Sequence, residues 1–122
     1  MHVKVKICGI KTPEALQAAL AARADFVGFV FYPPSPRSLS PEVAAELAEL
    51  ARGRASIVAL MVDADDATIE RIVKAVEPDF LQFHGSESPE RVAEVVRRWD
   101  RPAIKAIKVE SAGDAERALD FV

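Results

Sequence analysis

The chain repeats one pattern five times: a short β-rich apolar run, then a longer segment with the periodicity of an amphipathic helix. The apolar runs begin near Val3, Asp25, Ile57, Asp79 and Ala103. Such alternation predicts βα units whose strands form a parallel sheet covered by helices. This repeat limits the fold to the α/β class more strictly than any other feature of the sequence.

The helices have recognisable beginnings. Three of them are preceded by a hydroxyl residue, a proline and a glutamate, at 12–14, 40–42 and 88–90. The hydroxyl caps free backbone N–H groups, proline suits the first helical position, and the carboxylate faces the positive end of the helix dipole. Asp65 and Ser111 are predicted to cap the other two helices.

Apolar spacing also predicts which faces are buried. Residues spaced i, i+3, i+4 and i+7 form stripes over 69–76, 92–99 and 115–122, and each stripe should pack against the sheet. In the first strand, alternation places Val3, Val5 and Ile7 on one face, which should meet the helices. The opposite face carries Lys4, Lys6 and Cys8.

Composition excludes several classes of protein. Of the 122 residues, 50% are hydrophobic, and the net charge is −3, so the chain is neither disordered nor a good binder of nucleic acid or anionic membrane. It has one cysteine and no long apolar run, which favours the cytoplasm. We expect one partial domain over residues 1–122. Without a phosphate-binding glycine loop or a metal-ligand pair, we expect neither cofactor nor metal.

Two architectures use repeats of about 25 residues: a five-stranded doubly wound sheet and an eight-stranded (βα)8 barrel. Both place their chemistry at the carboxyl ends of the strands. Cys8 ends the first strand, where it is either an inert buried thiol or a reactive one beside lysines. Arg37 lies in a proline-rich loop after the second strand and is either a surface residue or a fork for a carboxylate or phosphate.

Three further positions carry weaker signals. His84 ends the fourth strand and shares a face with Gln82; it is either a hydrogen-bonded rim residue or a functional one. The acidic group at 63–66 follows the third strand, where Asp65 or Asp66 is expected to cap a helix rather than bind Mg²⁺. In the fifth strand, Lys105 and Lys108 lie on opposite faces, so one of them should point towards a partner charge.

Four segments carry a resemblance to a known family. The first-strand segment 6–10 (KICGI) and the fourth-strand segment 81–85 (LQFHG) are similar to motifs of the phosphoribosylanthranilate isomerases of tryptophan biosynthesis. Segments 25–37 and 58–62 resemble that family's second and third strands in order and spacing. The resemblance covers the whole chain and implies the first five βα units of a (βα)8 TIM barrel, with strands six to eight outside residues 1–122.

The resemblance also implies a reaction and its residues. Family members convert an aminoaldose 5-phosphate that bears an anthranilate ring into the ketose, without a cofactor, by an Amadori rearrangement. By resemblance Cys8 is the general base, Arg37 binds the anthranilate carboxylate, and His84 is a substrate-binding residue of less defined role. The family's general acid follows strand six, and its phosphate-binding loops follow strands seven and eight, so we expect 1–122 alone to be inactive.

Two alternatives remain. A receiver-like signalling domain with strand order 2-1-3-4-5 would use Asp63 as phosphoacceptor, although Cys8–Lys11 occupies the place of its metal-binding acids. A non-enzymatic half-barrel would pair its open edges with another chain. The alternation of strands one and four instead predicts strands in sequence order, curved like a barrel arc, with helices on the outer face only. Self-association through the open side of that arc is expected.

Overall fold

The computed structural model describes residues 2–122, which form five successive βα units. Each unit is a short strand followed by a helix, and a single 3₁₀ helix closes the chain. The strands are β1 (Lys6–Cys8), β2 (Phe26–Phe31), β3 (Ser56–Met61), β4 (Phe80–Phe83) and β5 (Ala103–Lys105). The helices are α1 (Pro13–Ala21), α2 (Pro41–Ala51), α3 (Asp66–Val76), α4 (Pro89–Trp99) and α5 (Ala112–Glu116), and the 3₁₀ helix is Arg117–Phe121.

All strand pairs are parallel, and the sheet order is β1-β2-β3-β4-β5. This confirms the predicted sequence order. A doubly wound receiver has the order 2-1-3-4-5, so that alternative is wrong. Within the described residues, β1 and β5 are the edges of the sheet.

The helices pack against one face of the sheet, here called the outer face. The main apolar core joins buried helix side chains such as Leu16, Leu47 and Ile72 to strand side chains such as Phe29 and Leu81. The strand residues of this core alternate along each strand, which means that they all project to the same side. Helices therefore cover the outer face, as predicted.

The opposite face, here called the inner face, is concave. The rings of Phe26 on β2 and Phe80 on β4 meet edge to face at 5.5 Å, across the intervening strand. Lys6 on β1 donates a hydrogen bond to Gln82 on β4, although in a flat sheet those strands would lie about 14 Å apart. Only a curved sheet brings such distant strands into contact on one face.

An aspartate before every second strand fastens the amino-terminal edge of the sheet. The backbone N–H of Val5 donates to the Asp25 carboxylate at 2.7 Å, and that of Ile57 donates to the Asp79 carboxylate at 2.7 Å. The hydrogen bond from Val5 holds the pKa of Asp25 below its ordinary value. This edge lies opposite the carboxyl ends of the strands, so we infer that these hydrogen bonds stabilise the fold and take no part in the site.

All five predicted helix caps are present: Thr12, Ser40, Asp65, Ser88 and Ser111 each accept a hydrogen bond from a backbone N–H in the first turn. The predicted stripes of α3 and α4 face the sheet as well. The helices have at most eleven residues, and none of those described within 2–122 combines the length and the apolar character needed to cross a membrane.

Two predicted apolar faces are not buried. Val3, Val5 and Ile7 are exposed on the outer side of the β1 segment, because β1 is an edge strand and no described helix covers it. The prediction of a buried stripe over 115–122 is wrong too: α5 has only five residues, none of them buried, and beyond it Leu119 and Val122 are exposed. A helical stripe is buried only where a sheet surface faces it. Because β5 ends at Lys105, the described sheet offers little surface against which this stripe could pack.

Candidate active site

Cys8 and Arg37 come together at the carboxyl end of the sheet. Cys8 is the last residue of β1 and is half-buried. Arg37 lies in the loop after β2, and its side chain reaches back to Cys8. The Arg37 Nη1 donates to the backbone carbonyl of Cys8 at 3.4 Å. Two residues that are 29 positions apart in sequence therefore lie at one point of the rim.

Gly9 makes this approach possible. Its φ is +84°, in the left-handed region that favours glycine, and a Cβ there would lie 2.6 Å from Arg37 Cδ. Its N–H donates to the carbonyl of Gly28, which turns the chain out of β1. The sequence analysis noted Gly9 only as part of a motif; its role is to leave space for the arginine.

The loop that carries Arg37 is fixed by its own hydrogen bonds. The Ser38 hydroxyl accepts from the N–H of Tyr32, and the Ser35 hydroxyl accepts from the N–H of Arg37. Lys11, which follows β1, donates to the carbonyl of Pro36 at 2.8 Å. The proline-rich loop is thus anchored to the first βα loop, and the backbone of Arg37 is held in place.

Polar groups lie beneath Cys8 on the inner face. A Cβ added to Gly28 would lie 3.2 Å from Lys6 Cε and 3.4 Å from Cys8 Sγ, so the lysine stem and the thiol both border the same glycine. From there Lys6 continues across β3 to its hydrogen bond with Gln82, which is buried. The predicted inward face of Lys6, Cys8 and Gln82 is present.

His84 follows β4 directly and is exposed at the same rim. Its backbone N–H donates to the carbonyl of Met61 at 2.9 Å, which fixes the start of the loop after β4. Within residues 2–122, its side chain makes no hydrogen bond to Cys8 or Arg37. The structure therefore brings Cys8 and Arg37 together and places His84 on the same edge of the sheet, with its side chain exposed.

The acidic group after β3 is structural. Asp65 caps α3 by accepting from the N–H of Thr68, as predicted, and Asp66 forms ion pairs with Arg91 and Arg98 at 2.7 Å. Asp63 accepts from the N–H of Ser86 at 2.9 Å. In the described part of the chain, no group of three His, Cys, Asp or Glu side chains is arranged to hold a metal ion.

Sequence reasoning missed a buried ion pair at the ends of the last three strands. Lys105 Nζ lies 2.9 Å from Glu87 Oε1, and their side chains are only 9% and 4% exposed. Burial raises the pKa of the Glu87 carboxyl, but hydrogen bonds from Lys105 and the backbone of Asp63 outweigh burial and hold the pKa below its ordinary value of 4.5. The expected partner charge of a β5 lysine is therefore Glu87, and the lysine is Lys105.

A cavity of about 410 Å³ adjoins this ion pair, between β5 and the 3₁₀ helix. Ser86, Lys105, Arg117 and Phe121 are among its lining residues, whereas Cys8, Arg37 and His84 are not. Most of its charged groups are paired: Lys105 contacts Glu87, Lys108 contacts Glu110 and Arg117 contacts Asp114, whereas Asp120 has no ion pair among the described residues. The cavity is thus separate from the Cys8–Arg37 site.

Comparison with known proteins gives a consistent result. The family model for N-(5′-phosphoribosyl)anthranilate isomerase matches residues 5–121. The protein of that name from Sinorhizobium medicae is 51% identical over 122 residues, which is 100% of this chain and 57% of the relative. This chain thus spans little more than half the length of that relative.

Solved structures agree with the sequence comparison. The phosphoribosylanthranilate isomerase of Thermotoga maritima superposes with a TM-score of 0.92 at 35% identity, over 98% of this chain and 58% of that one. A second isomerase structure, in complex with reduced 1-(o-carboxyphenylamino)-1-deoxyribulose 5-phosphate, has the same TM-score and identity and covers 98% of this chain and 61% of that one.

Proposed function

This chain belongs to the N-(5′-phosphoribosyl)anthranilate isomerase family, and on that premise we propose that it forms the first five βα units of a (βα)8 barrel that isomerises phosphoribosylanthranilate in tryptophan biosynthesis. One observation carries the proposal: the thiol-bearing end of β1 and the Arg37 guanidinium meet at the carboxyl end of a parallel sheet. Active sites of such barrels are built at that end.

In the proposed reaction, a general acid first opens the ribose ring to give a Schiff base. Cys8, as thiolate, then removes the proton from C2′, and the resulting enolamine tautomerises to the 1-deoxyribulose product. The proton taken from C2′ resides on the thiol and is returned to solvent. No net oxidation occurs, so the chemistry requires no redox cofactor.

Arg37 is assigned to the anthranilate carboxylate of the substrate. The relative described above binds a ligand with a carboxyphenylamino group, and a guanidinium fork suits a planar carboxylate. The anchored proline loop holds Arg37 over β1, so a carboxylate bound there would place its amino-sugar substituent near Cys8. His84, exposed on the same edge, is assigned to substrate binding.

The active species in this proposal is the whole protein, not residues 1–122 alone. The resemblance places the general acid after strand six and the phosphate loops after strands seven and eight. The sheet described here has five strands with β1 and β5 at its edges. We assign the whole protein to the cytoplasm, and we infer that the chain of 122 residues associates with itself through its open side.

The experiment is an isomerase assay of the whole protein with Cys8→Ala and Cys8→Ser variants, the substrate and product being separated by chromatography. A positioned general base contributes roughly 10²–10⁴-fold to rate, so Cys8→Ala should lower kcat by orders of magnitude while the circular-dichroism spectrum and Tm are retained. Near-normal turnover of Cys8→Ala would remove the base assignment. A wild-type protein without isomerase activity would overturn the proposed function.

A further inference from the structure

The Glu87–Lys105 pair has no part in the chemistry proposed above, yet it is the most buried pair of charges in the described chain. Burying two charges is costly unless their remaining hydrogen-bonding capacity is satisfied. Both side chains are satisfied here, mainly by backbone groups of the loops that follow β3 and β4. Because these partners are backbone groups of two loops, the pair can fix the position of both loops.

Glu87 joins two loops. Its Oε2 accepts from the N–H of Asp63, which follows β3, at 2.8 Å, and its Oε1 accepts from the N–H of Gly85, which follows β4, at 2.9 Å. Lys105, at the end of β5, donates to the carbonyl of Gly85 at 2.6 Å and to the Glu87 carboxylate. One carboxylate and one ammonium thus fasten the ends of three neighbouring strands.

The fastened segment is the one that carries His84. The two peptides that flank Gly85 are both held, because the Gly85 N–H donates to Glu87 and the Gly85 carbonyl accepts from Lys105. The next residue, Ser86, donates its N–H to the Asp63 carboxylate. The packing leaves no space for a side chain at 85, where a Cβ would lie 2.6 Å from Asp63 Oδ2. The His84 ring is exposed and makes no side-chain hydrogen bond to the described residues, so this backbone fixes the direction in which its Cα–Cβ bond leaves the chain.

We infer that Glu87 and Lys105 are positioning residues that aim the His84 ring across the rim at the substrate. The pair acts through the His84–Ser86 backbone and does not itself touch the reacting atoms. The inference deepens the proposed function and rests on it for the substrate; the fastening of His84 is independent of that function. If the pair merely stabilised the fold, removing it would lower stability without any specific effect on His84.

The principal variant is Glu87→Gln in the whole protein, because it keeps the shape and removes the charge. An amide nitrogen in place of one carboxylate oxygen opposes a backbone N–H, so one of the two loops should be released. Glu90→Gln is the matched control, since Glu90 is exposed in the first turn of α4, three residues away. If Glu87→Gln does not fold, Lys105→Met makes the same test while leaving both backbone bonds to Glu87 in place.

Two measurements separate the proposals. The first is NMR of the His84 ring, whose signals are identified by their absence in His84→Asn. In Glu87→Gln these signals should shift or broaden, and in Glu90→Gln they should not. This readout needs no substrate and stands even if the wild-type protein proves not to be an isomerase, in which case only the proposed function fails.

The second measurement is a double-mutant cycle on KM. Glu87→Gln should raise KM on the order of tenfold with a smaller effect on kcat, and it should add little in a His84→Asn background, because coupled residues are not additive. If the two effects on KM multiply, or if the His84 signals are the same in Glu87→Gln as in wild type, the pair is only a fold element and the inference is overturned.

Discussion

At the scale of single residues, the geometry of the site depends on Gly9 as much as on Arg37, whose side chain packs against the Gly9 backbone. Arg37→Ala removes a charge-assisted contact, and losing such a contact raises KM by roughly ten- to a hundredfold. Gly9→Ala should reproduce most of that effect, since its Cβ would lie 2.6 Å from Arg37 Nη1 and displace the guanidinium. Steady-state kinetics of the whole protein measure both variants.

Gly53→Ala is the control for this prediction. Gly53 also has a left-handed φ, +82°, but nothing lies within 4 Å of the position that its Cβ would take. Both alanine variants therefore carry the backbone cost of that conformation, roughly 1–2 kcal/mol, and only Gly9→Ala should change KM. Equal kinetics of the two variants would show that the contact with Arg37 does not matter for binding.

The sequence predicted the location of some of the site residues but not of others. Cys8, Arg37 and His84 stand at strand ends, and strand ends of a parallel sheet meet at one edge, so their common location followed from the pattern. The Glu87–Lys105 pair did not follow, because pairing of charges 18 positions apart depends on the turn after β4, which no periodicity specifies. The two lysines of the fifth-strand segment predicted a partner charge for one of them, but nothing in the sequence identified Glu87 as that partner.

At the scale of elements, the inner face is held by a polar bridge from β1 to β4. Lys6 is half-buried and its ammonium donates to Gln82, so removing either partner leaves a buried polar group unsatisfied, at a cost of about 1–3 kcal/mol. Lys6→Met and Gln82→Leu should each lower the free energy of unfolding in urea by that amount. The double variant should be less destabilised than the sum of the two.

Lys4→Met serves as the control, because Lys4 lies on the same face of the β1 segment but is exposed, with its ammonium 5.9 Å from the Phe26 ring. It should change the free energy of unfolding much less than Lys6→Met does. Strictly additive effects of Lys6→Met and Gln82→Leu would show that the contact between Lys6 and Gln82 contributes nothing to stability.

Element prediction succeeded where a local signal was sufficient and failed where burial depended on a neighbour. A cap such as Ser88 acts on its own first turn, so sequence alone identifies it. The stripe that ends at Val122 obeys the same periodicity as that of α4, yet it is exposed, because whether a stripe is buried depends on a facing surface. Phe121 packs against the core instead, with its ring 5.6 Å from Lys105 Nζ.

At the scale of the whole molecule, acid should weaken the carboxyl edge of the sheet. The pKa of Glu87 is lower in the fold than its ordinary 4.5, so its contribution to stability is complete above pH 4.5 and is lost as the pH falls through the lowered value. In Glu87→Gln this contribution is absent at every pH. The difference in unfolding free energy between wild type and Glu87→Gln should therefore be constant above pH 4.5 and shrink as the pH is lowered below it.

The control for the pH series is a variant of an exposed glutamate on the same helix. Glu90→Gln removes the same charge in the first turn of α4 but outside the ion pair, where only the helix dipole favours it, so its curve should lie much closer to wild type than that of Glu87→Gln. A difference between wild type and Glu87→Gln that stays constant over the whole range would mean that the carboxylate is not stabilised by Lys105 and the backbone of Asp63.

The open edges of the sheet predict association of the 122-residue chain. Edge strands present unpaired N–H and C=O groups, and a charge on an edge strand opposes pairing with another chain. Ile7 lies on the edge strand β1 and is 41% exposed, whereas Val43 on α2 is 45% exposed away from the edge. Sedimentation velocity should show concentration-dependent association of the chain, relieved by Ile7→Lys and unchanged by Val43→Lys. A monodisperse monomer at all concentrations, or equal effects of the two lysines, would contradict association through this edge.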